Sequence, residues 1–180
     1  MDKKLFRRAA AVLCVFLLAV GLAGCSGHGS TKTYILPDVY VDGEDLVKRN
    51  KDTDSCEDIY LNDDGSLTLV LTEAQRKRWS DHKEIEAQLS LMSKLSGITI
   101  RFSDAYTKME VSAPRDVARA AAPMAYSFAW VAELCQILNG AETWSLQVTI
   151  SESESGTVLQ EAILPEDQLD WSFLEDSPAE

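Results

Sequence analysis

The sequence predicts an α+β domain: an antiparallel sheet of about six strands, in the order ββα-ββα-ββ, with two main helices on one face. Two observations lead to this prediction. Pairs of short apolar runs are joined by turn residues, and each of the first two pairs is followed by a helical pattern. The helix starts expected at Thr72 and Ser112 are 40 residues apart, so the ββα unit is repeated. Hairpins joined by single helices favour an antiparallel sheet with segregated helices.

The first unit is expected to begin near residue 56. Residues 57–62 and 67–71 are strand-like, and Asp64-Gly65 between them supplies the positive φ that a tight hairpin turn requires. Thr72 and Gln75 have the spacing of a capping box, in which two N–H groups at a helix start are satisfied reciprocally. One helix is predicted from there to Gly97, with apolar residues at spacings near three and four: Trp79, Ile85, Leu89, Met92 and Leu95.

The second unit repeats this order. Residues 98–102 and 107–111 are predicted strands, and a helix is expected to open at Ser112 and to end at Gly140. A third hairpin is predicted over 144–151 and 157–164, and a short helix is expected to begin after it at 165–167.

The second helix is apolar nearly all round from 117 to 138, which predicts burial on more than one side. Pro123 predicts a break or kink near 121–123, because proline lacks a donor and clashes with the preceding turn. Tyr126 and Trp130 on this helix have two interpretations. They pack in the core, or they form an exposed apolar patch for a partner or an apolar ligand.

The first 24 residues have the order of a secretory signal: a basic start, an apolar segment and small residues. The most apolar part, 9–20, is shorter than the roughly 20 residues that a membrane-spanning helix needs. The tetrapeptide Leu22-Ala23-Gly24-Cys25 is similar to the lipobox of bacterial lipoproteins. That resemblance implies cleavage between Gly24 and Cys25 and a lipid on Cys25. The alternatives are an ordinary signal peptide or an uncleaved anchor.

The expected organisation follows from this processing site. Residues 1–24 are the signal peptide, 25–55 the lipidated Cys with a flexible tether and an irregular acidic segment, 56–174 the domain and 175–180 an acidic tail. We therefore expect a lipid-anchored protein on the extracytoplasmic face of the cell membrane. Cleavage would leave 156 residues and change the formal net charge from −12 to −15, which disfavours nucleic acid as a partner.

Two cysteines remain in the domain once Cys25 is alkylated. Cys56 and Cys135 could form a disulfide, which persists outside the cytoplasm. The alternative is that Cys135, in an apolar helical context, packs as a free thiol.

Several segments together resemble the uncharacterised secreted lipoproteins of gut-dwelling Gram-positive bacteria. They are the lipobox, Asp64-Gly65-Ser66-Leu67-Thr68 before a capped helix, Ile100 followed by Asp104-Ala105-Tyr106-Thr107-Lys108, the aromatic-rich helix, and Ser155-Gly156-Thr157-Val158. The resemblance covers roughly residues 55–164, and Ser103 departs from the Asn expected before Asp104. It implies architecture and location and no activity.

No catalytic motif, metal-ligand spacing or cofactor fingerprint is found in the sequence, so no catalytic residue, metal or cofactor is assigned. His82 is expected on the charged side of a helix. These observations favour a non-catalytic domain that binds an envelope protein or a small ligand, with the membrane as a partner through its lipid. One alternative is partner capture through a sheet edge. The other is an envelope hydrolase, which would need two carboxylates, or His82 and a carboxylate, in one pocket.

Overall fold

The structure, a computed structural model, describes residues 30–115 and 117–169, without the side chains of residues 119–123. This part of the chain contains seven strands and four helices, so the predicted α+β class is confirmed. The elements in chain order are β1 (Thr31–Leu36), α1 (Gly43–Asn50), β2 (Asp58–Leu61), β3 (Leu67–Thr72), α2 (Glu73–Trp79), α3 (His82–Ser96), β4 (Thr99–Phe102), β5 (Lys108–Ala113), α4 (Ala118–Leu138), β6 (Leu146–Glu152) and β7 (Val158–Leu164).

The strands form two sheets. The three-stranded sheet has the order β1-β3-β2 and is antiparallel throughout. The four-stranded sheet has the order β4-β5-β6-β7, in which β5 and β6 are parallel and the two outer pairs are antiparallel. The prediction of one antiparallel sheet of six strands is therefore wrong: there are two sheets, and one strand pair, β5 with β6, is parallel.

Two physical reasons explain the division. β1 pairs with β3 on the side opposite β2, so β3 has no free edge left for a strand of the second ββ unit. α4 connects β5 to β6 as a 21-residue helix, and a crossover of that length returns the chain to the end where β5 began. The next strand therefore pairs with β5 in parallel.

Residues 31–55 contain regular structure where a flexible tether and an irregular segment were expected. Leu36 of β1 and Leu46 of α1 are fully buried, so both elements contribute to the core. The side chain of Asp42 caps α1 by accepting a 3.0 Å hydrogen bond from the N–H of Asp45. Residues 31–55 look loop-like in sequence, but burial of their apolar side chains in the core stabilises a strand and a helix there.

The helix predicted from Thr72 to Gly97 is two helices. Its start is confirmed, because Thr72 and Gln75 form the predicted capping box at α2. α2 ends at Trp79, and the Asp81 side chain caps a new helix by accepting from the N–H of Lys83. Gly97, with φ 74°, ends α3 as predicted.

α4 starts later than predicted and is not interrupted. Ser112 lies in β5, where it pairs with Ser151 of β6, so it does not cap the helix. The helix runs from Ala118 to Leu138, and the expected break at Pro123 is absent. Pro123 lies in the second turn, where its missing donor removes one hydrogen bond near the helix start.

α4 lies between the two sheets. It contacts β1 of the three-stranded sheet, β5 and β6 of the four-stranded sheet, and α2. Burial on more than one side, which its apolar composition predicts, is confirmed by the burial of Ala125, Ala129, Ala132 and Cys135.

The third hairpin is confirmed as β6 and β7, and turns occupy residues 165–167 in place of the predicted short helix. Among the described residues, every helix is too short or too polar to cross a membrane.

Candidate functional site

One concave feature is a groove between α3 and the edge strand β4, which we name the α3–β4 groove. It encloses a volume of about 500 Å³. β4 and the turn after it contribute the consecutive residues 99–104. The α3 residues that line it recur at helical spacing and form one face: His82, Ile85, Glu86, Leu89, Ser90, Ser93 and Lys94.

The groove follows the free edge of β4. Consecutive residues point to opposite faces of a sheet, yet both Ile100 and Arg101 line the groove, as expected for a depression along an edge. The N–H of Ser103 donates to Lys108 in β5 at 3.0 Å, so the alternate residues Ile100 and Phe102 direct their backbone N–H and C=O away from β5. The groove therefore offers backbone donors and acceptors of an unpaired strand edge.

The floor of the groove is apolar and its rim is charged. Ile85, Leu89 and Ile100 are at most 8% exposed. Charged side chains of both signs stand exposed around them, with Glu86 and Asp104 acidic and Lys94 and Arg101 basic. Within the described part of the chain, none of these four forms an ion pair.

Tyr106 closes one end of the groove and is held by α4. Its ring contacts the rings of His82 and Phe102, with centroids 5.0 and 5.1 Å away. Gln136 donates to the Tyr106 carbonyl at 2.7 Å, and burial is the main cause that raises the pKa of the Tyr106 hydroxyl. This end of the groove is thus anchored to the central helix.

A second chemically unusual place is the buried carboxyl of Glu133 in α4. Its side chain is 0% exposed, and Oε1 accepts a 2.9 Å hydrogen bond from the N–H of Asp38. Burial raises the pKa of Glu133 to about 8, with the Asp38 charge raising it further and the Asp38 N–H lowering it. Oε2 of Glu133 and Nε1 of Trp130 have no hydrogen-bond partner among the described residues.

Aromatic side chains cluster near Asp38, whose N–H donates to this carboxyl. The Tyr40 ring lies 5.4 Å from that of Tyr126 and 6.0 Å from that of Trp144. Nε1 of Trp144 donates to the Asp38 carboxylate at 2.9 Å. Burial also raises the pKa of the Tyr40 hydroxyl to about 12, so this tyrosine stays neutral. The cluster joins three segments, and the complete burial of Glu133 keeps a substrate from reaching it.

The lipidation and cleavage residues, Gly24 and Cys25, lie outside the described residues. Cys56 and Cys135 are both free and both buried. The Cys56 thiol lies 3.5 Å from the carbonyl of Asn50, whereas Cys135 is hydrogen-bonded to Tyr106. Burial raises the pKa of both thiols, that of Cys135 to about 12. The two alternatives were a disulfide and a free, packed thiol, and in the structure both cysteines are free, packed thiols.

The structure places Trp130 in the interior and Tyr126 partly buried at its margin, so the two do not form an exposed patch. Trp130 is 5% exposed, and Tyr126 is half-buried against Tyr40. The Tyr126 hydroxyl accepts a 3.0 Å hydrogen bond from the N–H of Leu169. These two side chains therefore follow the other interpretation, since Trp130 is in the core and Tyr126 packs against the core.

His82 is exposed and lines the α3–β4 groove together with Glu86 and Asp104. Its ring packs on Tyr106. In the described part of the chain, no group of three or more His, Cys, Asp or Glu side chains is arranged to hold a metal ion.

Sequence reasoning missed the groove because strand order is not a local property. The short connection at Gly97 indicates that α3 and β4 are neighbours. It does not indicate that β4 is an edge strand, which follows only because β5 pairs with β4 on one side and with β6 on the other. The local signal was the charge pattern, with Lys94 and Arg101 close to the turn and Glu86 and Asp104 farther from it.

The chain matches no protein-family model, and searches of curated proteins and of solved structures also found no match.

Proposed function

We propose that this protein is a non-catalytic lipoprotein of the extracytoplasmic membrane face, whose domain binds an extended polypeptide segment along β4. The observation that carries the proposal is the α3–β4 groove, in which an unpaired strand edge lies beside an apolar floor. Extended peptides bind such edges by adding a strand, with main-chain hydrogen bonds for affinity and pockets for alternate side chains.

The outward backbone groups of Ile100 and Phe102 provide the hydrogen bonds in this proposal. The floor residues Ile85 and Leu89 then receive apolar side chains of the bound strand, since alternate residues of a strand point to one side. A bound strand would also cover an edge that is otherwise open to pairing with other chains.

The opposite edge of the same sheet is less suited to this role. On β7, the carboxylate of Asp167 accepts from the N–H of Ile163, and the N–H of Asp167 donates to the Ile163 carbonyl, both at 2.7 Å. These contacts occupy part of the outer edge of β7. In the three-stranded sheet, α1 packs against the edge strand β2.

The membrane anchor is part of the proposal. If Cys25 carries the lipid, residues 26–30 connect it to β1, and five extended residues reach at most about 18 Å. The groove would then act on partners close to the bilayer. The domain's net negative charge disfavours contact with an anionic lipid surface, which supports a protein partner.

An envelope hydrolase is less well supported. The carboxyl with a strongly raised pKa, Glu133, is fully buried and outside the α3–β4 groove. His82 lies in the groove, but no hydrogen bond within the described residues joins it to Glu86 or Asp104. The pairing that general acid–base chemistry needs is therefore not assembled there.

Selection from a phage-displayed library of random heptapeptides tests the binding function. The full chain, solubilised in mild detergent, is compared with Phe102→Pro, which removes an outward N–H from the free edge of β4. Proline is tolerated at such positions of edge strands, so the fold should persist. We expect enrichment with wild type and loss of binding with Phe102→Pro.

Glu161→Pro is the matched control, since it removes an outward N–H from β7 and should retain binding. Thermal unfolding of each variant checks that it is folded. The proposal is contradicted if no heptapeptide is enriched, or if folded Phe102→Pro binds the enriched peptides as wild type does.

A further inference from the structure

We infer that the segment bound in the α3–β4 groove carries a basic and an acidic side chain four positions apart, with the basic residue nearer its N-terminus. This inference deepens the proposed function and rests on it. It follows from the placement of charge along the groove, not from the apolar floor.

The two ends of the groove carry opposite charge. α3 runs antiparallel to β4, since a short connection at Gly97 joins them and Tyr106 contacts both His82 at the start of α3 and Phe102 at the end of β4. Glu86 and Asp104 therefore lie toward the Tyr106 end, and Lys94 lies toward the Gly97 end, with Arg101 on β4 between the two ends.

The spacing of the two charges on α3 suits a bound strand. Glu86 and Lys94 are eight helical residues apart, about 12 Å along α3. A bound strand advances about 13 Å in four residues, and positions i and i+4 point to the same side. Two ligand charges four residues apart therefore match the spacing of Glu86 and Lys94. On the other wall, Arg101 lies in β4 and Asp104 in the turn that follows it.

All four side chains are available to a ligand. They are exposed, and none forms an ion pair within the described part of the chain. Arg101 is opposite Glu110 of β5 in the register, yet these two also form no ion pair. A ligand carboxylate at the Gly97 end and a ligand ammonium at the Tyr106 end would each meet an unpaired partner.

The order of the two charges follows from strand direction. Antiparallel pairing is the more stable ladder, so the ligand is placed antiparallel to β4. Its N-terminal part then lies at the acidic Tyr106 end and its C-terminal part at the basic Gly97 end. The basic ligand residue therefore precedes the acidic one.

Three fluorescent peptides test this inference by anisotropy, with the full chain in mild detergent. Their sequences are Thr-Lys-Val-Thr-Val-Glu-Thr, the charge-reversed Thr-Glu-Val-Thr-Val-Lys-Thr and the neutral Thr-Gln-Val-Thr-Val-Gln-Thr. At low salt, the first should bind about fivefold more tightly than the neutral peptide and about 20-fold more tightly than the reversed one. In 0.5 M salt these differences should shrink to within about twofold.

Substitutions on α3 test whether Lys94 and Glu86 cause the difference in affinity between the peptides. Lys94→Gln and Glu86→Gln should each remove part of the advantage of the first peptide over the neutral one. Lys83→Gln, an exposed α3 residue that does not line the groove, should leave it unchanged. Equal binding of the three peptides, tighter binding of the reversed peptide, or binding of none of them overturns the inference. The proposed function is judged separately, by the heptapeptide library and the Phe102→Pro variant.

Discussion

The carboxyl Oε1 of Glu133 accepts a 2.9 Å hydrogen bond from the backbone N–H of Asp38, which joins the centre of α4 to the connection between β1 and α1. The two residues are 95 positions apart in sequence, and the Glu133 side chain is fully buried. An ionised carboxylate is costly in such surroundings, so the pKa of Glu133 rises to about 8 and the group is largely protonated at neutral pH.

This contact predicts a pH dependence of stability. The unfolded chain releases the Glu133 proton near pH 4.3, whereas the folded chain keeps it until about pH 8. The stabilisation is therefore complete below about pH 4 and is lost as the pH rises to 8. Glu133→Gln cannot ionise, so its free energy of unfolding relative to wild type should increase by up to about 4 kcal/mol from pH 4.5 to pH 8.5.

Urea unfolding at several pH values measures this difference. Glu142→Gln, at an exposed position, should follow the pH profile of wild type. Parallel profiles for wild type and Glu133→Gln would show that Glu133 does not titrate in this range.

Arg76 connects α2 to the end of α4. Its Nη1 donates to the carbonyl of Leu138 at 3.2 Å and to Oδ1 of Asn139 at 3.1 Å, and its other nitrogens bind Glu73 at 2.8 Å. A cation at a helix C-terminus is favourable, and the carbonyl would lose its donor. Arg76→Met should therefore lower the free energy of unfolding by about 1–2 kcal/mol.

The control is Lys77→Met, which removes only an exposed ion pair with Glu73 at 3.7 Å. It should cost less than about 0.5 kcal/mol in the same denaturation experiment. Equal costs for the two variants would contradict a specific role of Arg76 at the α4 terminus.

The thiols of Cys56 and Cys135 should be free and slow to react. Both are buried, and burial raises the pKa of each, so little thiolate is present at neutral pH. If the chain is cleaved and lipidated as proposed, titration of the mature protein with an aromatic disulfide reagent, without reductant, should give about two thiols per chain in urea. Under native conditions labelling should be at least about tenfold slower. A yield of no thiols in urea would indicate a disulfide instead.

If Cys25 carries the proposed lipid, Cys25→Ala should abolish the membrane anchor. Without the thiol, the lipid cannot be attached, and the chain should be released or remain uncleaved. Incorporation of radiolabelled fatty acid, followed by membrane fractionation, measures both outcomes. Cys14→Ala, within the leader, is the matched control and should be processed and anchored normally. Normal lipid labelling of Cys25→Ala would overturn the proposed anchor.

The sequence alone determined the parts of the fold that depend on neighbouring residues. The Asp64-Gly65 turn, the Thr72–Gln75 capping box and the Gly97 helix end all lie where predicted. These features are stabilised by backbone conformation and by hydrogen bonds between residues three or four positions apart. Such local interactions do not depend on the rest of the fold.

The tertiary structure decided which elements meet. β1 gains its partner in β3, β5 and β6 pair in parallel around α4, and Trp130 is buried against neighbours that no local pattern specifies. The α3–β4 groove exists because that pairing leaves β4 at an edge. Burial and strand pairing join residues far apart in sequence, so their outcome depends on competition among all segments of the chain. That is why local patterns located the hairpins and caps but not the candidate site.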